Sequence, residues 1–122
     1  MALLTIEDLI RKKEELKPVR AKRIHVDLLG GELELRRLPL TDYWNMINRV
    51  DPEDQAGLLQ KEIDMIYAFC PALHDHHLQE AFGVDVPTDI VPAVLGEDLS
   101  AIAAVVGEIS SMYGYAEDET KN

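Results

Sequence analysis

The chain has 122 residues, with 12 Lys or Arg against 23 Asp or Glu and a formal net charge of −11. That length suits one domain, an apolar fraction of 47% argues against wholesale disorder, and the acidity argues against non-specific nucleic-acid binding, since phosphates would be repelled. The longest run free of charge, Met65 to His74, is far short of the roughly 20 apolar residues that span a bilayer, and Glu7 and Asp8 come too early for a secretory leader, so neither a membrane segment nor a signal peptide is expected.

Thr5 can cap a first helix, with Glu7 and Asp8 at the positive end of its dipole. Ile6, Leu9, Ile10 and Leu16 form one apolar stripe, Arg11 to Glu15 the wet face, and Pro18 the stop. A helix this short is marginal alone and must dock on its own domain or on a partner.

Residues 23–37 read as a β-hairpin. Ile24, Val26 and Leu28 alternate with polar residues, as do Leu33 and Leu35, and Gly30-Gly31 offers the positive φ angles of a two-residue turn. That turn sets Leu28 opposite Leu33 and Val26 opposite Leu35, with the like-charged Asp27 and Glu34 facing each other. A lone ribbon is marginal in water, so helices or another chain must cover its apolar face.

The remainder reads as helical. Thr41 or Asp42 caps a short helix carrying Tyr43, Trp44, Met46, Ile47 and Val50. Asp51-Pro52-Glu53 has the form of a helix start, followed by a stripe of Leu59, Ile63, Ile66, Tyr67 and Cys70 that Pro71 ends. His76 to Phe82 makes another short helix, and Thr88 caps a brief turn that stops before Pro92. A last helix from about Glu97 to Tyr113 shows Leu99, Ile102, Ala103, Val106, Ile109 and Tyr113 on one side. The fold class expected is therefore mainly α with a short N-terminal β-hairpin (α+β). It comprises one domain over residues 1–114 and a flexible acidic tail over 115–122.

Charge is unevenly shared. Residues 1–37 carry nine bases and seven acids, whereas residues 38–122 carry three and sixteen. Solubility explains the surplus of acids; an acidic docking face for a basic or amphipathic partner is the functional alternative.

Candidate chemistry is sparse. His74, His76 and His77 are the densest set of metal-ligand types, but Pro71 interrupts any continuous helix from Cys70, and a polar loop accounts for them as well. Cys70 ends an apolar stripe beside Phe69 and fits core packing better than nucleophilic chemistry. It is the single cysteine, which fits a reducing compartment. Gly30-Gly31 lacks the Lys-Ser/Thr of a phosphate loop, and no two carboxylates present themselves as an acid/base pair. No catalytic residue, metal or cofactor is expected. Tyr43 and Trp44 fit either an interface anchor or a core stripe.

The order of parts in the first half resembles a known family. The segment TIEDLI from Thr5 leads through Lys17-Pro18-Val19 to the strand AKRIHV from Ala21. Leu29-Gly30-Gly31 then turns the chain, and a second strand leads to Leu38-Pro39-Leu40-Thr41 and an acidic remainder. Over about residues 3–70 this is similar to the XkdN-like tail assembly chaperones of phages and prophages. The resemblance implies a small, non-catalytic viral protein of the host-cell cytoplasm, absent from the mature virion, that binds the tape-measure protein and aids tail tube assembly. Its partners would be the tape-measure protein and the tail tube protein, with neither nucleic acid nor membrane. The family often makes a longer product by ribosomal frameshifting, and Thr120-Lys121-Asn122 admits codons of slippery form.

A chaperone of this kind needs an apolar groove for a helix-rich client. The residues expected to form it are the hairpin face (Val26, Leu28, Leu33, Leu35) or the pair Tyr43 and Trp44. Self-association into a ring or filament is also open to short amphipathic helices beside an uncovered ribbon. The competing readings are an acidic adaptor or inhibitor that binds a basic protein, and a small metal enzyme built on His74, His76 and His77.

Overall fold

A computed structural model describes residues 3–115. The expected tail, apart from Tyr115, and the Thr120-Lys121-Asn122 segment lie outside the described residues. The protein is a small α+β domain: a two-stranded antiparallel sheet near the N-terminus, packed on helices. Among the described residues, no single helix is long and apolar enough to cross a membrane.

Helix α1 (Ile6–Arg11) begins with a capping box. The Thr5 hydroxyl accepts from the Asp8 amide, and the Asp8 carboxylate accepts from the Thr5 amide. The same carboxylate pairs with Arg11. These contacts hold the Asp8 carboxyl below its usual range, with the Thr5 backbone hydrogen bond the largest cause. The helix ends at Arg11, well before Pro18, and residues 12–16 continue as turns.

Strands β1 (Ala21–Val26) and β2 (Gly31–Arg36) form the hairpin, and here the register differs from the expected one. The turn is longer than Gly30-Gly31 alone. Asp27–Leu29 makes one turn of 3-10 helix, closed by Gly30 at φ 67°. Ile24 therefore faces Leu33, and Val26 faces Gly31. Leu28 lies in the turn, not on the ribbon. The expected Asp27–Glu34 clash is absent. Glu34 sits opposite Arg23, and its carboxylate accepts from Arg36 Nε at 2.8 Å.

Helix α2 (Leu40–Ile47) starts after Pro39 with no side-chain cap, so neither Thr41 nor Asp42 caps it. Both residues lie inside the first turn. Helix α3 (Gln55–Phe69) starts later than Asp51-Pro52-Glu53 suggests. Those residues make a turn in which Asp51 Oδ1 accepts from the Glu53 amide, and Asp54 is the cap. The Asp54 side chain accepts from the Gly57 amide at 3.0 Å. A Cβ on Gly57 would stand 2.5 Å from that carboxylate and 2.8 Å from Val50, which explains a glycine in a first helical turn.

After Phe69 a 3-10 turn over Pro71–His74 leads to α4 (His76–Ala81), capped by Asp75. Another 3-10 turn, Pro87–Asp89, runs into α5 (Ile90–Val94). Pro92 does not stop this helix as expected. It sits in the first turn, where its missing N–H would lack a helical partner anyway. Asp98 caps α6 (Leu99–Ser111), which begins two residues after Glu97 and ends two before Tyr113. Its buried face is Ile102, Val105, Val106, Ile109 and Ser110, while Leu99 and Ala103, expected on the apolar side, face solvent.

The core lies where α3 packs on α5 and α6 and the ribbon closes over one side. Ile24, Val26 and Leu35 from the strands join Met65, Ile66, Phe69, Ile90, Val91, Leu95 and the α6 face. Lys22 ties the ribbon to α6 through Glu108 at 2.6 Å and Ser111 at 3.1 Å.

Candidate docking surface

Tyr43 and Trp44 are neighbours on α2, about 100° apart around its axis, and they part company. Tyr43 goes inward. Its ring stacks on Tyr113, meets Phe69 edge-on, and places its hydroxyl 3.0 Å from Ser110 Oγ. Trp44 goes outward and is 56% exposed. Leu40, four residues earlier on the same face, is 59% exposed. The Trp44 carbonyl accepts from Asn48 Nδ2 at 2.9 Å, which closes the end of the helix.

Beside the Leu40 end of this face runs a cleft of about 310 Å³ bounded by Pro18, Arg20, Arg37, Leu38, Pro39 and Leu40. Its position is set by Tyr113. That hydroxyl donates to the Leu38 carbonyl at 2.6 Å and accepts from the Leu38 amide at 3.0 Å. The Arg37 guanidinium lies 4.0 Å from the Tyr113 ring centroid and also donates to the Met112 carbonyl. Burial raises the Tyr113 hydroxyl pKa, against the opposing pull of the Leu38 hydrogen bond and the Arg37 charge. The result is an apolar and aromatic strip with cations at one end, its Leu40 and Trp44 carried on α2.

The other expected binding residues separate. Val26 and Leu35 are buried in the core, and Leu33 is partly buried against it. Leu28 is 52% exposed and lines a second groove, of about 270 Å³, between β1 and α6. The hairpin face is thus largely core, and the side chains left free to meet a partner are Trp44 and Leu28. Leu40 is not among the binding residues expected from the sequence; its spacing of four from Trp44 is the signal that finds it.

The histidines do not converge. His74 Nε2 donates to the Tyr67 carbonyl at 2.6 Å, and its ring lies on that of Tyr67, so this nitrogen carries a hydrogen and has no free lone pair. His76 and His77 are exposed at the start of α4. Among the described residues, no three of His, Cys, Asp or Glu come together as a metal site. Cys70 is fully buried, and loss of hydration pushes its thiol pKa up, which suppresses the thiolate a nucleophile requires.

What the fold and surface define is a small α+β domain with an open aromatic strip. No family model, curated protein or solved structure matches the chain.

Proposed function

We propose that the protein is a tail assembly chaperone of the XkdN-like kind, a non-catalytic viral protein of the host cytoplasm. It binds the tape-measure protein and aids tail tube assembly. The observation that carries this reading is the side-by-side exposure of Leu40 and Trp44 on a helix whose opposite face is locked into the core. Large apolar side chains held rigidly at a surface suit capture of another apolar surface. The client would lay an amphipathic helix along this strip. The net charge of −11 would then keep the complex in solution while apolar seams of the client are covered.

Co-expression with a phage tape-measure chain tests the reading. The native protein should hold that chain soluble and co-purify with it at high salt, and a Leu40→Ala/Trp44→Ala double variant should lose it while melting as the native protein does. A soluble tape-measure chain that never associates with this protein overturns the proposal, as does turnover of a small molecule by the pure protein. Binding abolished by salt would favour the acidic adaptor instead.

A further inference from the structure

Helix α1 is fully formed yet covers nothing. Ile6, Leu9 and Ile10, at offsets 0, 3 and 4, share one face and are 72%, 50% and 62% exposed. A capping box and an Asp8–Arg11 pair hold this single helical stretch in shape although no packing sits under it. Such an isolated helix is marginal unless its apolar face finds a surface.

The groove between β1 and α6 offers one. Its floor is Ile24, Val26 and Val105, and its sides are Leu28, Ala101 and Ala104. The two alanines let a helix approach closely, and the volume of about 270 Å³ admits aliphatic side chains from one helix face. Asp27, Asp98 and Glu108 stand around it. The Asp27 side chain is wholly exposed. Arg11, Lys12 and Lys13 follow directly on the apolar stripe of α1. An apolar ridge followed by bases thus matches an apolar groove rimmed by acids.

We infer that α1 of one copy docks in the β1–α6 groove of a second copy. Residues 14–20 form the tether, and seven residues reach up to about 25 Å when extended. Ile6, Leu9 and Ile10 enter the groove, and Lys12 and Lys13 meet Asp27 and Asp98. The contact uses one patch on the giver and a different patch on the receiver, so it closes as a pair only if both copies exchange arms. It involves neither Leu40 nor Trp44, and it holds whatever client is bound.

Light scattering on the full chain across a wide concentration range tests this. The native protein should rise from monomer to larger species with concentration. An Ile6→Asp/Leu9→Asp arm variant and an Ala104→Arg groove variant should each remain monomeric at the top of the range, with native circular dichroism and melting, because all three positions are exposed. Mixing the two variants should restore a heterodimer, since one still has its groove and the other its arm. A native protein that stays monomeric throughout overturns the inference, as does undiminished self-association of either variant. Cross-links between Lys13 and Asp98 within a single copy would also overturn it, by placing α1 in its own groove.

Discussion

Tyr43 and Tyr113 stack with ring centroids 4.2 Å apart and planes 7° from parallel. The stack joins α2 to the residues just past α6, and Phe69 meets both rings edge-on from α3. Three parts of the chain far apart in sequence thereby share one aromatic contact. The orientation of α2, and with it the outward aim of Trp44, depends on that contact.

Tyr113 is the member whose polar end can be tested. Tyr113→Phe keeps the stack but removes both hydrogen bonds to the Leu38 backbone. It should cost about 1 kcal/mol and lower Tm by about 4 °C. Tyr113→Ala should cost about 3 kcal/mol, the low end for an aromatic truncation, because the ring is only partly buried. Denaturant unfolding of the three proteins separates the values. Equal losses for the two variants would mean that the ring packing contributes nothing.

The hairpin register makes opposite forecasts for two leucines. Leu35 has no exposure, so Leu35→Ala should destabilise by about 2–5 kcal/mol. Leu28 lies in the turn, so Leu28→Ala should fall within about 0.5 kcal/mol of native stability. A two-residue Gly30-Gly31 turn would have made both costly, so urea midpoints for the pair check the register directly.

Alkaline pH should destabilise the fold through Cys70. Burial holds the thiol proton more tightly in the folded state than in the unfolded chain, whose ordinary value is 9.0. Raising the pH therefore takes the proton from the unfolded chain first. The stability is intact below about pH 8 and declines as pH climbs past the unfolded thiol value. Tyr113, also raised, acts in the same direction above its ordinary 10.0. Unfolding midpoints measured from pH 7 to pH 10.5 should fall, and Cys70→Ala should flatten the decline near pH 9. The same slope in both proteins would assign the effect elsewhere.

The Lys22–Glu108 bridge spans the ribbon and α6, but both side chains are substantially exposed, at 39% and 45%. Its solvent-screened contribution should stay below about 1 kcal/mol. Glu108→Gln should lower stability slightly at low salt and hardly at all at high salt. A loss of several kcal/mol that ignores salt would show that the pair matters through packing.

The ribbon and the helices after it were legible because hydrophobic periodicity and strong punctuation coincided at Pro71 and Gly83 and along Leu59 to Cys70. Register was not. Gly30-Gly31 satisfies a two-residue turn, but Asp27–Leu29 can add a 3-10 turn that uses only one positive-φ glycine, and local sequence does not rank the two. The start of α3 moved because Asp51 and Asp54 carry equivalent caps, and only Asp54 lies one position before Gln55 with its oxygen free for Gly57. On α6, Leu99 looks like core by hydropathy, yet it occupies the first turn and stays exposed. The surface was half legible. Tyr43 and Trp44 stood out as a pair, but which one faced the solvent depended on Phe69 and Tyr113, partners distant in the sequence.

Trp44 is the single tryptophan and stands in water in the folded protein. Its emission should already be red-shifted before any denaturant is added, so intrinsic fluorescence will follow unfolding poorly. The same placement makes it a built-in optical probe of occupancy. A client laid over α2 would dehydrate the indole and move its emission to shorter wavelength, reporting an encounter without any label.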